Sequence, residues 1–129
     1  MNILIPGGEG YVGKVTTSYL LKKKHFVRSL DLMLYKQDAL KSNKKTKLRY
    51  EFIFGDINNK SLLEESMKGI DAVVLLAGLV GDPITKKYPK TAKIINEVGV
   101  KKVVNACLKM GVKRLISIST CSNYGLIKT

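Results

Sequence analysis

The chain has 129 residues, 45% hydrophobic and 26% charged, which is the length of one domain and the composition of a globular chain rather than a disordered one. Its formal net charge of +13 raises the question of nucleic acid, because Lys and Arg displace counterions from phosphates. The basic residues, however, are spread over 22–24, 41–49, 86–93 and 101–102 without the aromatic interleaving that stacks unpaired bases, so a solvated lysine-rich surface is expected.

No apolar run approaches the ~20 residues of a membrane helix. The opening 1–6 lacks the basic and long apolar regions of a signal peptide, and a cytoplasmic location is the resulting expectation. Cys107 and Cys121 form no C-x-x-C, so neither a metal site nor a disulfide framework is indicated.

The first apolar segment, Asn2–Pro6, is short and continuous and reads as a strand buried on both faces. It runs into Gly7-Gly8-Glu9-Gly10-Tyr11-Val12-Gly13, in which Gly7, Gly10 and Gly13 have the spacing G-x-x-G-x-x-G. Such a loop between a buried strand and a helix suits a dinucleotide pyrophosphate. Gly7 makes the tight turn, Gly10 lets the phosphates approach the backbone, and Gly13 lets helix and strand pack closely. The amides of Tyr11 and Val12 at the helix start supply the dipole end.

The helix is expected over Tyr11–Lys24, with Val12, Val15, Tyr19 and Leu20 near one face. Gly8, Gly13 and Lys14 also satisfy the start of a P-loop. The position that must hold a hydroxyl for magnesium is Val15, which argues against a nucleotide triphosphatase.

His25 reads as a turn residue before a second strand, Phe26–Asp31. Asp31 lies 18 residues after Gly13 (31 − 13), close to the ~20 expected of the acid that binds the ribose 2′-hydroxyl. Its carboxylate repels a 2′-phosphate, and Leu32 comes next, where a basic residue would accept one; NAD is favoured over NADP.

The stretch 36–49 reads as a short helix and a loop, followed by a strand at Tyr50–Gly55 and a helix at Asn58–Lys68 behind an Asn cap, carrying Leu62, Leu63 and Met67. Asp71–Leu76 is the fourth strand, and Gly81-Asp82-Pro83 makes a loop expected to border a substrate. A long helix over Lys90–Met110 stops at Gly111, and Arg114–Ser119 is the fifth strand. Strand and helix alternating in this way predict an α/β fold of Rossmann type, a doubly wound parallel sheet in the order 3-2-1-4-5.

With these motifs in order, the chain resembles the extended short-chain dehydrogenase/reductase family, specifically the NAD-dependent epimerases and dehydratases of nucleotide sugars. The resemblance runs over essentially the whole chain. Pro6 to Gly13 is similar to the family's T-G-G-x-G-Y-[IV]-G, and Gly55-Asp56-Ile57 to its G-D-[IVL]. Leu76-Ala77-Gly78, followed by Leu79, stands near the cofactor in the family, and Asn96-Glu97-Val98-Gly99 resembles N-V-x-G. Ser119-Thr120-Cys121-Ser122-Asn123-Tyr124-Gly125 resembles S-[ST]-x-x-[VN]-Y-G.

The resemblance implies cofactor contacts from Asp56, Ile57, Ala77, Gly78 and Leu79, with the Asp56 carboxylate at the adenine. It also implies a catalytic hydroxyl at Thr120, which would hydrogen-bond the sugar oxygen being oxidised.

Four departures from the pattern bear on this. Glu9 replaces a small loop residue, and its carboxylate would weaken pyrophosphate binding unless it points to solvent. Pro6 replaces a Thr, Glu97 a Val, and Val100 a frequent Thr. The family's Tyr-x-x-x-Lys pair has no match at its place after Thr120. Tyr19 with Lys23, and Tyr124 with Lys128, have the spacing but stand at the wrong positions.

The expectation is an incomplete NAD-binding Rossmann domain over 1–129 that binds NAD without turning substrate over. A nucleotide sugar would be the substrate of the full-length relative, and self-association is expected through an exposed fifth strand. The alternatives are a non-catalytic NAD-sensing module and a basic nucleic-acid-binding protein.

Overall fold

The computed structural model describes residues 1–34 and 47–120. Five parallel strands, β1 (Asn2–Pro6), β2 (Phe26–Asp31), β3 (Tyr50–Phe54), β4 (Ala72–Leu75) and β5 (Arg114–Ser117), lie in the order β3-β2-β1-β4-β5, as the alternation predicts. Asn2 pairs with Phe26 and Ile3 with Ala72, so β1 lies at the centre with β2 and β4 on its flanks. The expected short helix before Arg49 falls on residues outside those described, apart from a 3-10 turn at Lys47–Arg49. Cys121 and the 122–125 part of the last motif lie outside them too.

Alternate residues of the strands feed two cores, as a pleated sheet with both faces covered requires. Leu4, Leu30, Val73 and Leu75 point to one face and pack with α2 (Lys60–Ser66) through Leu63, together with Met67 at its C-terminal end and Val103, Ala106 and Cys107 of α5 (Val100–Met110). Ile3, Ile5 and Val27 point to the other, where Leu21 of α1 (Tyr11–Lys22) covers them. Arg28 fastens the first assembly at one edge. Its Nε donates to Glu51 at 2.8 Å, and its Nη1 donates to the carbonyls of Ser66 (2.8 Å) and Lys68 (3.0 Å) at the end of α2.

Three local expectations are corrected. The apolar face assigned to the first helix is wrong at three of its four residues, because Val12, Val15 and Tyr19 are exposed and only Leu20 packs partly against the core, while the buried residues are Gly13, Thr17 and Leu21. The small residues lie inward because the helix runs close against the loop and β2, while the large ones on the neighbouring stripe face outward. The cap of α2 is Asn59, whose Oδ1 accepts from the Leu62 amide (3.1 Å), and not Asn58.

The long helix is not uniform. The chain forms α3 (Asp82–Lys87) where a loop was expected, then α4 (Pro89–Lys93), a π-helical segment at Ile94–Gly99, and α5. One extra residue in a turn rotates the helix beyond it, and such turns gather at functional positions.

His25 sits just before β2, with Lys24 left-handed at φ 64° and the terminal amine 3.3 Å from its Nδ1. Among the described residues no helix is long and apolar enough to cross a membrane.

Cys107 is 5% exposed, and burial pushes its thiol above the usual range. A thiolate is the reactive form, so Cys107 is expected to label with iodoacetamide at neutral pH at least tenfold more slowly in the folded chain than in urea. Peptide mapping by mass spectrometry reads this residue by itself, and equal rates in the two states would refute its burial.

Candidate functional site

The C-terminal ends of β1, β2, β3 and β4 open into one cleft of about 710 Å³ including its mouth. This is where an open parallel sheet places its ligand, at the point where the strand order reverses on either side of β1. Gly7, Glu9 and Gly10 line it from the glycine loop, and Asp31, Leu32, Met33 and Leu34 from the end of β2. Asp56 and Ile57 line it after β3, and Leu76, Ala77 and Gly78 after β4.

The glycine loop is built by close approach. Gly7 has φ 84°, a conformation that disfavours any side chain, and a Cβ there would lie 2.4 Å from the Ala77 nitrogen. Its N–H donates to the Leu30 carbonyl (2.8 Å), and the Pro6 carbonyl accepts from Leu76 and Ala77 (2.9 and 2.8 Å). The loop is therefore sewn to both neighbouring strands.

A Cβ on Gly13 would meet the Gly7 oxygen at 2.3 Å, whereas one on Gly10 would meet only that oxygen, at 3.4 Å. Gly13 is filled against protein, and Gly10 borders open space. Gly10 is also the cap position of α1 and provides no side-chain acceptor for the first-turn amides, and that turn carries no acid. First-turn amides that the cap residue's side chain does not fill are what an anion uses.

Asp31 faces this loop across the cleft. Its Oδ2 accepts from the Glu9 amide (3.0 Å) and its Oδ1 from the Met33 amide (2.8 Å). The second bond holds Met33 in the left-handed region at φ 52°, a strain of order 1 kcal/mol for a non-glycine residue. Leu32 completes the wall beside the carboxylate.

Glu9 corrects the expectation attached to it. It is 3% exposed, and its carboxylate is turned away from solvent. Oε1 accepts from the Ser29 hydroxyl (2.8 Å) and the Tyr50 hydroxyl (2.6 Å). Burial first, then the hydrogen bond and charge of Glu9, hold the Tyr50 phenol well above its ordinary range, so it remains a donor.

Two later motifs meet each other. Asn96, in the π segment, accepts from the Leu79 amide through Oδ1 and donates to the Leu79 carbonyl through Nδ2, both at 2.8 Å. A Cβ on Gly99 would stand 2.6 Å from Ile57 Cδ1. The N-x-x-G set thus pins the loop segment after β4 and seats the G-D-I segment. Asp56 Oδ1 accepts from the Asn58 amide (2.8 Å).

Of the expected site residues, Gly7, Gly10, Asp31, Asp56, Ile57, Ala77 and Gly78 line the cleft. Gly13, Tyr11, Val12 and Leu79 do not. Gly13 packs the helix, Tyr11 and Val12 expose their side chains, and Leu79 is buried. Thr120 is exposed beyond β5 and is not part of the lining; the Gly81 segment is not part of it either. Met33 and Ile95 line the cleft without having been singled out, since an apolar residue at a loop or helix position carries no signal of its own.

Thr16 Oγ1 donates to the Val12 carbonyl (2.9 Å) and Thr17 is fully buried, so neither hydroxyl replaces the missing magnesium ligand of a P-loop. Lys23 lies 5.6 Å from the Tyr19 ring, which accounts for that Tyr-x-x-x-Lys spacing as a surface contact. Tyr124 and Lys128 lie outside the described residues. Among the described residues no group of His, Cys, Asp and Glu could hold a metal ion.

A model of the NAD dependent epimerase/dehydratase family matches residues 3–129. The chain is 31% identical over 123 residues to a UDP-N-acetylglucosamine 4,6-dehydratase (inverting) of Campylobacter jejuni, covering 92% of this chain and 36% of that protein. It is 33% identical over 136 residues to a UDP-glucose 4-epimerase of Klebsiella pneumoniae, covering 97% and 93%.

A dTDP-glucose 4,6-dehydratase double mutant from Streptomyces venezuelae, solved with NAD and DAU bound, superimposes with a TM-score of 0.85 at 26% identity. That match covers 100% of this chain and 42% of that one. The chain thus spans about a third of the length of the Campylobacter relative. The glycine loop, the acid at the end of β2 and the match over residues 3–129 agree, and the chain belongs to the NAD-dependent epimerase/dehydratase family.

Proposed function

We propose that this stretch binds NAD in the cleft, as the cofactor-binding part of a nucleotide-sugar epimerase or dehydratase. The observation that carries the reading is Asp31, held by two backbone amides opposite the open side of Gly10, with Leu32 and, among the described lining residues, no cation beside it. A ribose with a free 2′-hydroxyl suits that acid, and a 2′-phosphate does not. The uncapped first turn of α1 would take the pyrophosphate. The cofactor, when bound, supplies hydride acceptance; the chain's own residues bind and orient it. Support also comes from the Streptomyces relative, whose structure holds NAD.

No Tyr-x-x-x-Lys stands after Thr120 at the family's place within these residues, so we assign the stretch cofactor binding and not turnover by itself. The substrate of the longer relatives, a nucleotide sugar by their names, is the substrate class we infer. The fifth strand, with Ile116 exposed at the edge of the described sheet and Ile118 exposed just beyond the strand, supports self-association. Light scattering showing a monodisperse monomer would remove that part of the reading.

Calorimetry with NAD, NADP and magnesium-ATP tests the rest. Heat with NAD and little with the other two is expected. Binding of magnesium-ATP in preference to NAD would return the P-loop reading, and no heat with any nucleotide would end the NAD assignment.

A further inference from the structure

A carboxylate in the loop that would receive a pyrophosphate is electrostatically the wrong residue, and Glu9 stands where a small residue would do. Its placement resolves this. The side chain leaves the ligand side of the loop and ends in the protein, its Oε1 shared by the hydroxyls of Ser29 on β2 and Tyr50 at the start of β3. Its main chain stays at the cleft, where its N–H donates to Asp31 Oδ2. One residue therefore joins three elements: the loop, β2 and β3. The neighbouring Gly8 is pressed to the same place, since a Cβ there would fall 2.3 Å from Ser29 Oγ.

We infer that Glu9 is a positioning residue for the adenosine ribose, its buried side chain acting as a strut that fixes the loop backbone so that the Glu9 amide orients the Asp31 carboxylate toward the ribose hydroxyls. The inference rests on the NAD reading above. A carboxylate free to rotate offers its lone pairs in many directions. Asp31 is constrained at both oxygens, by Met33 through a local turn and by Glu9 through the strut. The local turn persists without Glu9, but the second constraint depends on where the loop backbone lies. Two hydroxyls 20 and 41 residues along the chain help to set that position. Burial keeps the Ser29 bond out of competition with water and partly shields the Tyr50 bond, which strengthens them. It also removes the carboxylate from the face that the phosphates approach.

The test compares NAD with the analogue lacking the adenosine 2′-hydroxyl, titrated into the 129-residue chain and into Glu9→Ala. The wild-type chain is expected to bind NAD roughly tenfold better than the deoxy analogue, the size of one good hydrogen bond to a charged acceptor. In Glu9→Ala, NAD affinity should fall about tenfold and the preference for the hydroxyl should shrink to less than about threefold.

Glu9→Gln, which keeps an acceptor for Ser29 and Tyr50, should restore the preference. Tyr50→Phe should reduce it in part, and serves as the second probe if Glu9→Ala does not fold. A Glu9→Ala chain that binds both ligands more weakly by the same factor would show Glu9 to be merely structural and overturn the inference, leaving the NAD reading intact. A Tyr50→Phe chain with the wild-type preference would count against the strut in the same way. Failure of the wild-type chain to bind NAD would overturn both.

Discussion

Replacing Gly13 with Ala is expected to destabilise the chain by about 2–3 kcal/mol, although Gly→Ala within a helix ordinarily stabilises by up to about 1 kcal/mol. The two effects oppose each other here, and the geometry decides which wins. The new methyl would sit 2.3 Å from the Gly7 oxygen and 2.6 Å from Gly8 backbone atoms. Backbone cannot rotate out of the way as a side chain can, and Gly7 is itself held by Leu30 and packed on Ala77.

Gly10→Ala is the matched control. A Cβ there meets only the Gly7 oxygen at 3.4 Å, so stability should change by less than about 1 kcal/mol, the scale of an altered N-cap. NAD binding, by contrast, should drop beyond calorimetric detection, because the methyl would occupy the space assigned to the pyrophosphate. Urea midpoints separate the two variants. Equal midpoints for Gly13→Ala and the wild type would show that the loop does not pack as described. Unchanged NAD affinity in Gly10→Ala would move the phosphate site elsewhere.

Asp31→Ala should lose affinity for NAD by roughly ten- to a hundredfold and lose its discrimination against NADP. Two causes add. The ribose loses its acceptor, and the part-buried amides of Glu9 and Met33 lose theirs, at about 1–3 kcal/mol for each donor left without a partner. Met33, freed from the turn that keeps it at φ 52°, should relax and alter the cleft wall. The affinity ratio of NAD to NADP is the informative quantity, because repulsion of the 2′-phosphate disappears with the charge while general weakening affects both ligands. A ratio unchanged from the wild type would mean that selectivity comes from some other group. Asp31→Asn, which keeps an acceptor without the charge, should recover part of the stability and little of the selectivity.

The sheet was legible because its signals are local. Five short apolar runs with glycine and helical stretches between them leave few arrangements once crossovers must be right-handed, and the observed order is the expected one. The same holds for the glycine loop and Asp31, whose spacing is set by the length of one strand–helix–strand unit. The family resemblance contributed Asp56, Ile57, Ala77 and Gly78, which periodicity alone does not single out.

What failed was which side of the first and the last helices faces inward, whereas Leu63 and Met67 of the second helix are buried as expected. On α1 the apolar stripe of Val12, Val15 and Tyr19 suggested a core face, and the stripe of Gly13, Thr17 and Leu21 took it. Close approach to the loop selects small residues over apolar ones, and that demand comes from outside the helix. On the later helices Val103 and Cys107 are buried while Ile94, Val104 and Leu108 are exposed, because the π segment resets the phase before α5 begins and the sheet covers only one side.

The 129 residues by themselves determined the strands, their order, the nucleotide loop and the acid opposite it, since each of these results from propensity, spacing and chirality within a few tens of residues. Only the tertiary structure decided that Glu9 turns inward, that Asn96 pins Leu79, and that Gly99 seats Ile57. Each of those depends on two segments far apart in the chain being brought within a few ångströms. The energy of a buried polar group is settled by whether a partner is there to meet it.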